Sequence, residues 1–396
     1  MSSAALTGLD PARTMPEDRE AATLAARLWL PGEGPAICAL RGERLIDVTR
    51  AFPTMSALCA EADPAAALTA TEGRDVAGLA EVLANSRPEG RDARLPYLLA
   101  PVDLQAVKAA GVTFAVSLLE RLLEERAKGD PVAAEALRAE VGDLVAGDLS
   151  GLRPGSPEAE KVRSVLLARG LWSQYLEVGI GPDAEIFTKA QPLSAVGTGM
   201  DCGVLASSQW NNPEPEVVLI VAPDGRVVGA TLGNDVNLRD VEGRSALLLG
   251  RAKDNNASCA IGPFLRFFDA GFGLDDIRRA EVTLHVQGPD GYALEALSSM
   301  RQISRDPLDL VSQMIGPHHQ YPDGAVLFLG TMFAPTEERD GQGFTHRDGD
   351  IVSVSTPKLG ALVNRVARAE ACPSWEFGAG ALMRNLAGRG LLGVFR

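Results

Sequence analysis

Apolar and polar positions follow two different rhythms along this chain. From Thr113 to Lys128, Phe114, Leu118, Leu119, Leu122 and Leu123 recur at helical spacing against Glu120, Arg121, Glu124 and Glu125, which predicts a helix with one buried stripe. Ser117, Glu120 and Glu124 share one face of that helix. Asp130-Pro131 and Ser156-Pro157 each set a capping side chain before a proline at the first helical position, so two more helices are expected. Residues 130 to about 175 therefore read as a helical insertion. From Ile186 onward the rhythm shortens to apolar runs broken by glycine. Val217–Val221, Val227–Thr231, Val282–Val286, Val326–Leu329 and Ile351–Ser355 are the expected strands.

Nearer the amino terminus, Ala36–Leu40 and Arg44–Val48 flank Gly42 as a hairpin, and short helical segments follow between 54 and 86. Residues 1–20, with Pro11 and Pro16, read as a loose tail, and 21–100 as a small amino-terminal domain. The polar, breaker-rich Ser86–Asp92 stretch precedes its boundary, and residues 101–396 form the second domain. Strand spacing is irregular, which argues against propellers and solenoids.

One pair of strands carries chemistry. With Asp224-Gly225 as a two-residue hairpin turn, Asp235 lies opposite Glu214, and Glu216 points to the same face two residues on. Three carboxylates so close repel one another, and a hard divalent cation with oxygen ligands stabilises such a cluster. The alternative is a solvated strand end. Lys253 follows shortly afterwards; beside a bound ketone or carboxylate it could polarise the substrate, or exchange a proton if its surroundings lower its pKa.

Composition narrows the classes. At 396 residues and 46% hydrophobic content the chain exceeds one typical core. A net charge of −14 disfavours nucleic acid and anionic membrane as partners. No apolar run reaches membrane-spanning length and the amino terminus lacks a basic start followed by an apolar segment, so a soluble, cytoplasmic protein is expected. The five cysteines are scattered without a Cys-x-x-Cys pair, which predicts buried free thiols, Cys259 included. There is no Gly-x-Ser-x-Gly elbow, and His285, His318, His319 and His346 all lie late in the chain. Gly197-Thr-Gly199 and Gly378-Ala-Gly380 do not complete a nucleotide-binding pattern.

Taken in order, Gly111-Val-Thr-Phe114-x-x-Ser117-x-x-Glu120, Phe187-Thr-Lys189, Pro213-Glu214-Pro-Glu216, Asn234-Asp235-Val-Asn-Leu-Arg239-Asp240, Lys253, Ile261-Gly-Pro263 and Leu329-Gly330-Thr331 resemble the fumarylacetoacetate hydrolase family over roughly residues 100 to 396. The resemblance implies an α+β fold, a β-rich mixed β-sandwich roll with the small amino-terminal domain and helical insertion attached. It implies Mg²⁺ held by Glu214, Glu216 and Asp235, with Mn²⁺ suited to the same oxygens. Matching substrate positions are Arg239, Thr331 and Glu242, the last where glutamine is common; matching catalytic positions are Lys253, Glu120 and Ser117. Ser117 stands where hydrolases of the family carry histidine, a departure from C–C bond hydrolysis.

Within the family, the Asn-Asn-Pro-Glu-Pro-Glu run, Ala-Lys253-Asp-Asn-Asn-Ala-Ser-Cys-Ala-Ile-Gly-Pro, His319-Gln-Tyr-Pro-Asp-Gly324 and Arg384-Asn-Leu-Ala-Gly-Arg389 are similar to 2-keto-3-deoxy-pentonate dehydratases. That similarity implies Mg²⁺-dependent loss of water from 2-keto-3-deoxy-D-xylonate, the same compound as the arabinonate, giving 2-oxoglutarate semialdehyde in pentose oxidation. It also implies a homo-oligomer built from dimers. The competing readings are an acylpyruvate hydrolase or oxaloacetate decarboxylase, and a non-enzymatic protein that binds a divalent ion for structure. The insertion reads equally as a lid over the site or as a packing element.

Overall fold

The computed structural model describes residues 9–114, 152–168, 170, 172–333, 338–339 and 342–394. The expected helix beyond Phe114 and the one starting at Asp130 fall outside them. In chain order the strands are β1 Leu24–Leu30, β2 Gly34–Arg41, β3 Arg44–Asp47, β4 Arg74–Gly78, β5 Tyr97–Leu99, β6 Ala106–Gly111, β7 Glu185–Ala190, β8 Asp201–Val204, β9 Asn211–Asn212 and β10 Pro215–Val221. They continue with β11 Val227–Asp235, β12 Asn237–Leu238, β13 Cys259–Phe267, β14 Glu281–Gln287, β15 Ala293–Ser299, β16 Ala325–Phe328, β17 Glu338–Arg339, β18 Gln342–Gly343, β19 Ile351–Thr356 and β20 Gly360–Arg368.

Among the described residues these strands form a large sheet, ordered β4-β3-β2-β1-β13-β11-β10-β16-β6-β7 with β5 paired to β1, and a smaller one, β15-β14-β19-β20-β8. Pairing is antiparallel except β16 with β6 and β20 with β8, so both sheets are mixed and the arrangement, with its helices, is α+β. Every residue of β10 is buried, as expected of a strand covered on both faces. Val217, Leu219 and Val221 join the core shared with β14, β19 and β20; Val218 and Ile220 join one with Ile37, Met55 and Leu58.

The hairpin register is the expected one, reached by a different turn. Ala222 N–H donates to Arg226 O and Gly225 N–H to Ala222 O, both at 2.9 Å, so the loop is the three residues Pro223-Asp224-Gly225. Gly225, at φ 87°, takes the left-handed position that closes it. Val221 then faces Val227 while Ile220 faces Gly229, leaving Val228 as a bulge. The bulge cancels the extra loop residue, and Pro215 faces Asn234.

Two boundary expectations change. β1 pairs directly with β13, so the strands of the expected amino-terminal domain extend the large sheet. Residues 9–20 are tied down: Leu9 and Met15 are buried, and Asp18 receives Arg266 at 2.6 and 2.9 Å and Lys358 at 2.6 Å. The physical reason is Arg266, a cation 1% exposed on β13 that requires a carboxylate partner. Its hydrogen bonds hold the Asp18 carboxyl well below the ordinary range, against the effect of burial. Of the expected insertion, helices Pro157–Ala168 and Gln174–Ile180 are described, the first capped by Ser156, whose Oγ accepts from Ala159 N–H at 3.1 Å.

Candidate active site and metal centre

The triad sits where β10 begins and β11 ends. Asp235 N–H donates to Glu214 O at 3.0 Å, closing the open end of the ladder, and Glu214 N–H donates to Asn234 Oδ1 at 3.1 Å. Glu216 faces Gly233, where a Cβ would strike the Phe328 ring; the glycine makes room for that ring against β11. Glu214, Glu216 and Asp235 are 8%, 2% and 1% exposed, and each offers an oxygen within 4.8 Å of the other two. The solvated strand end is thereby excluded.

Two lysines neutralise part of this charge. Lys253 Nζ, 3% exposed, donates to Glu214 Oε2 at 2.5 Å and Asp235 Oδ2 at 3.0 Å. Burial works against its charge, yet Asp235, Glu214 and Glu242 outweigh burial and hold its pKa above the ordinary lysine value. The sequence had left open a lowered pKa; beside the three carboxylates the shift runs the other way. Lys189, fully buried, pairs with Asp235 Oδ1 at 2.8 Å and donates to Val236 O at 3.0 Å and Lys253 O at 2.6 Å. Burial pulls the Asp235 carboxyl up, but Lys189 and Lys253 bring it below the usual range. Among the described residues, no lysine forms an ion pair with Glu216. Burial, then Asp235 and Glu214, push its carboxyl well above the ordinary value, while Gly330 N–H donates to its Oε2 at 2.6 Å.

Around this centre, helix Arg239–Glu242 follows β12 directly. Arg239 is 7% exposed and its guanidinium stacks on Trp210, 4.5 Å from the ring centre. Asp240 accepts from Ser208 Oγ and Gln209 N–H, both at 2.8 Å, which fixes the loop that carries Trp210. Asn237 Nδ2 donates to Glu214 Oε1 at 3.0 Å and Glu242 Oε2 at 2.6 Å. Thr331, partly buried, comes directly after Gly330, whose φ is 88°. Leu329 O accepts from Thr113 Oγ1 at 2.7 Å, and the neighbouring Val112 stands at φ 54°, a strained conformation for a β-branched residue.

The structure thus gathers Glu214, Asp235, Lys253 and Glu242 into one hydrogen-bonded and ion-paired group on which the Glu216 carboxylate converges, with Arg239 on the same short helix as Glu242. Thr331 joins through the turn that binds Glu216. Ser117 and Glu120 lie outside the described residues. Sequence reasoning assigned no role to Lys189, Asn237 or Trp210, although Lys189 and Asn237 stood inside quoted motifs.

A hard divalent cation fits this donor set. Three buried carboxylates converge with only part of their charge met by lysine. Asn212 Oδ1 and Asn237 Oδ1 are buried acceptors without protein donors, on facing residues of β9 and β12. Such acceptors suit the water ligands that a small hard ion retains.

The family model described as Fumarylacetoacetate (FAA) hydrolase C-terminal matches residues 207–367, which include the triad, Lys253 and Thr331. Among curated proteins, the chain is 30% identical over 192 residues to a probable 2-keto-3-deoxyxylonate dehydratase of Haloferax volcanii, covering 48% of this chain and 63% of that one. It is 28% identical over 184 residues to the 2-dehydro-3-deoxy-D-arabinonate dehydratase of Saccharolobus solfataricus, covering 46% and 59%. The matches thus span about three fifths of those relatives' own lengths. A solved 2-keto-3-deoxy-D-arabinonate dehydratase, in complex with magnesium and 2,5-dioxopentanoate, shares the fold at a TM-score of 0.60 and 21% identity, over 87% of this chain and 99% of that one. Fumarylacetoacetate hydrolase from Exiguobacterium antarcticum does so at 0.52 and 17%, over 87% and 99%. No helix among the described residues is long and apolar enough to cross a membrane.

Proposed function

We propose that this protein is a Mg²⁺-dependent hydro-lyase that converts 2-keto-3-deoxy-D-xylonate (2-dehydro-3-deoxy-D-arabinonate) to 2-oxoglutarate semialdehyde. The observation that carries the reading is the buried triad with Lys253 paired to two of its carboxylates, in a chain similar to two proteins named for this dehydration. Glu214, Glu216 and Asp235 hold the ion, which when bound supplies Lewis acidity toward the carboxylate and 2-oxo oxygens of a keto acid. Lys253 acts as a fixed cation beside the keto oxygen and favours the charge that develops there as C3 loses its proton. Arg239, held flat by Trp210, and Thr331 orient the substrate. Glu120, with Ser117 positioning it, exchanges protons with C3 and with the leaving C4 hydroxyl. One proton and one hydroxide leave as water, and the unsaturated five-carbon acid rearranges to the aldehyde.

The same reading carries a β-sandwich roll for the catalytic portion, a cytoplasmic location and a homo-oligomer built from dimers. The test is product analysis: 2-keto-3-deoxy-D-pentonate incubated with the protein and Mg²⁺ gives a five-carbon semialdehyde, and EDTA abolishes it. Pyruvate or carbon dioxide as product would instead assign C–C cleavage. Absence of turnover with any 2-keto acid, alongside an EDTA-sensitive melting temperature, would assign a structural ion site.

A further inference from the structure

Val112 holds a conformation suited to glycine. Its φ of 54° lies in the left-handed region, where a β-branched side chain crowds its own backbone. Such strain persists only where the surroundings over-determine it, and here they act on both sides of the residue. On the side chain, Val112 packs against the small core formed by Leu166, Leu176 and Ile180 of helices Pro157–Ala168 and Gln174–Ile180. Glycine would meet the backbone demand without strain, but it has no apolar branch to offer that core. On the main chain, Ser304 N–H and Oγ both donate to Thr113 O at 2.8 Å. The next residue, Arg305, is 2% exposed and donates to Val178 O and Gly181 O at 2.8 Å, which ties the end of the second helix to the same point.

From Thr113 the contacts reach the triad through one peptide group. Thr113 Oγ1 donates to Leu329 O at 2.7 Å, and Gly330 N–H donates to Glu216 Oε2 at 2.6 Å. Leu329 C=O and Gly330 N–H are the two sides of a single peptide group, which is planar and turns as a unit. Fixing the carbonyl with the Thr113 hydroxyl therefore fixes the N–H that Glu216 meets. The two hydrogen bonds also polarise each other through that group, so losing one weakens the other. A Cβ at Gly330 would strike Thr113 Oγ1, so the close approach of the two segments depends on both residues. Where Glu214 and Asp235 have lysines, Glu216 has this N–H, and its direction settles where the carboxylate points.

We propose that Val112 and Thr113 are positioning residues for the metal centre: they transmit the packing of the Pro157–Ala168 and Gln174–Ile180 helices to the peptide group that aims Glu216, and so set the affinity of the triad for its cation. The inference rests on the reading that Glu214, Glu216 and Asp235 hold Mg²⁺, and adds to it a task for the helical pair, that of a buttress.

Calorimetric titration of the full chain with Mg²⁺ tests it, beside melting temperatures in EDTA. Thr113→Val keeps the shape and removes the hydroxyl, and should weaken Mg²⁺ binding about fivefold; Thr113→Ser restores the hydroxyl and should bind within about twofold of wild type. Val112→Gly is unstrained at a φ of 54° and loses the branch, so its metal-free melting temperature should hold while Mg²⁺ binding weakens about three- to tenfold. Val112→Ala takes its place, with the same expected loss of Mg²⁺ binding, if the glycine variant melts early. Combined with Thr113→Val, either change should cost little more than the greater single loss, since both act through one peptide group. Mg²⁺ binding at the wild-type level in Thr113→Val or in the Val112 variant, equal weakening in Thr113→Val and Thr113→Ser, or a double variant whose loss is the product of the single ones would overturn the inference and leave the metal reading standing. Wild type that takes up no Mg²⁺ would overturn that reading and the inference with it.

Discussion

Replacing Lys189 with methionine removes a buried cation while keeping most of its volume. Its ammonium has three oxygen partners: Asp235 Oδ1 at 2.8 Å, Lys253 O at 2.6 Å and Val236 O at 3.0 Å. Deleting one member of a buried ion pair costs about 3–5 kcal/mol, because the other charge stays behind in a dry site. Lys253 still meets Asp235 Oδ2 at 3.0 Å, which favours the lower end, about 3 kcal/mol. Two main-chain carbonyls lose a charged donor at about 1 kcal/mol each or somewhat more. Because one nitrogen serves all three oxygens the terms overlap, and a total of about 4 kcal/mol is expected without metal. Saturating Mg²⁺ gives Asp235 a replacement cation but does nothing for the carbonyls, so the loss should shrink to about 2 kcal/mol. Urea unfolding of wild type and Lys189→Met, each in EDTA and in Mg²⁺, measures both quantities. A loss below about 1 kcal/mol in EDTA, or equal losses in the two conditions, would refute the clamp.

Three further outcomes follow from the same geometry. Burial, then Asp235 and Glu214, raise the Glu216 carboxyl, so folded metal-free protein holds that proton more tightly than the unfolded chain; its stability falls as pH rises from the ordinary glutamate value through the raised one. Metal displaces the proton, and the Mg²⁺-induced gain in Tm should therefore grow as pH rises from the ordinary glutamate range toward the raised Glu216 value; a gain that is flat or shrinks as pH rises contradicts the assignment. Gly330→Ala puts a Cβ against Thr113 Oγ1 and Ala110 O at a φ of 88°, and it disturbs the N–H that binds Glu216. Both Tm and Mg²⁺ affinity should drop, the former by about 1–3 kcal/mol of stability, and an unchanged Mg²⁺ titration would separate the turn from the metal centre. Trp210→Leu removes the face on which Arg239 lies, worth about 0.5–2 kcal/mol, so KM should rise about 2- to 30-fold with kcat nearly kept and Trp210→Phe restoring most of it. A fall confined to kcat would place Arg239 in the chemical step instead.

The parts of this site that were legible in the sequence are those decided within one hairpin. Alternation along Val217–Val221 and Val227–Thr231 fixes which side each residue faces, and an Asp-Gly turn fixes the pairing to within a residue or two. The turn itself was misread by one position. The ligands still meet because the Val228 bulge restores the register, and a one-residue slip would have sent Asp235 to the opposite face. The amino-terminal strands show the limit of this kind of reading. Leu24–Leu30 is apolar except for Arg27 and calls for a covered place in a sheet, but its pairing of Leu24 with Arg266 and Ala25 with Leu265 crosses most of the chain, and no local pattern encodes that choice.

The charge state of Lys253 was illegible for a related reason. Its sign of shift depends on a competition between burial and distances to Asp235, Glu214 and Glu242, and only coordinates supply the distances. Lys189 is the extreme case. Within Glu185–Ala190 it follows an exposed Thr188 and reads as an edge-strand charge that blunts the sheet, a common use of lysine. Its ammonium instead reaches carbonyls 47 and 64 residues away and the side chain of Asp235 in the triad. The triad is thus local while its support is long-range, so substitutions chosen from the sequence would strike the three carboxylates first and miss the lysine that holds Asp235 in place.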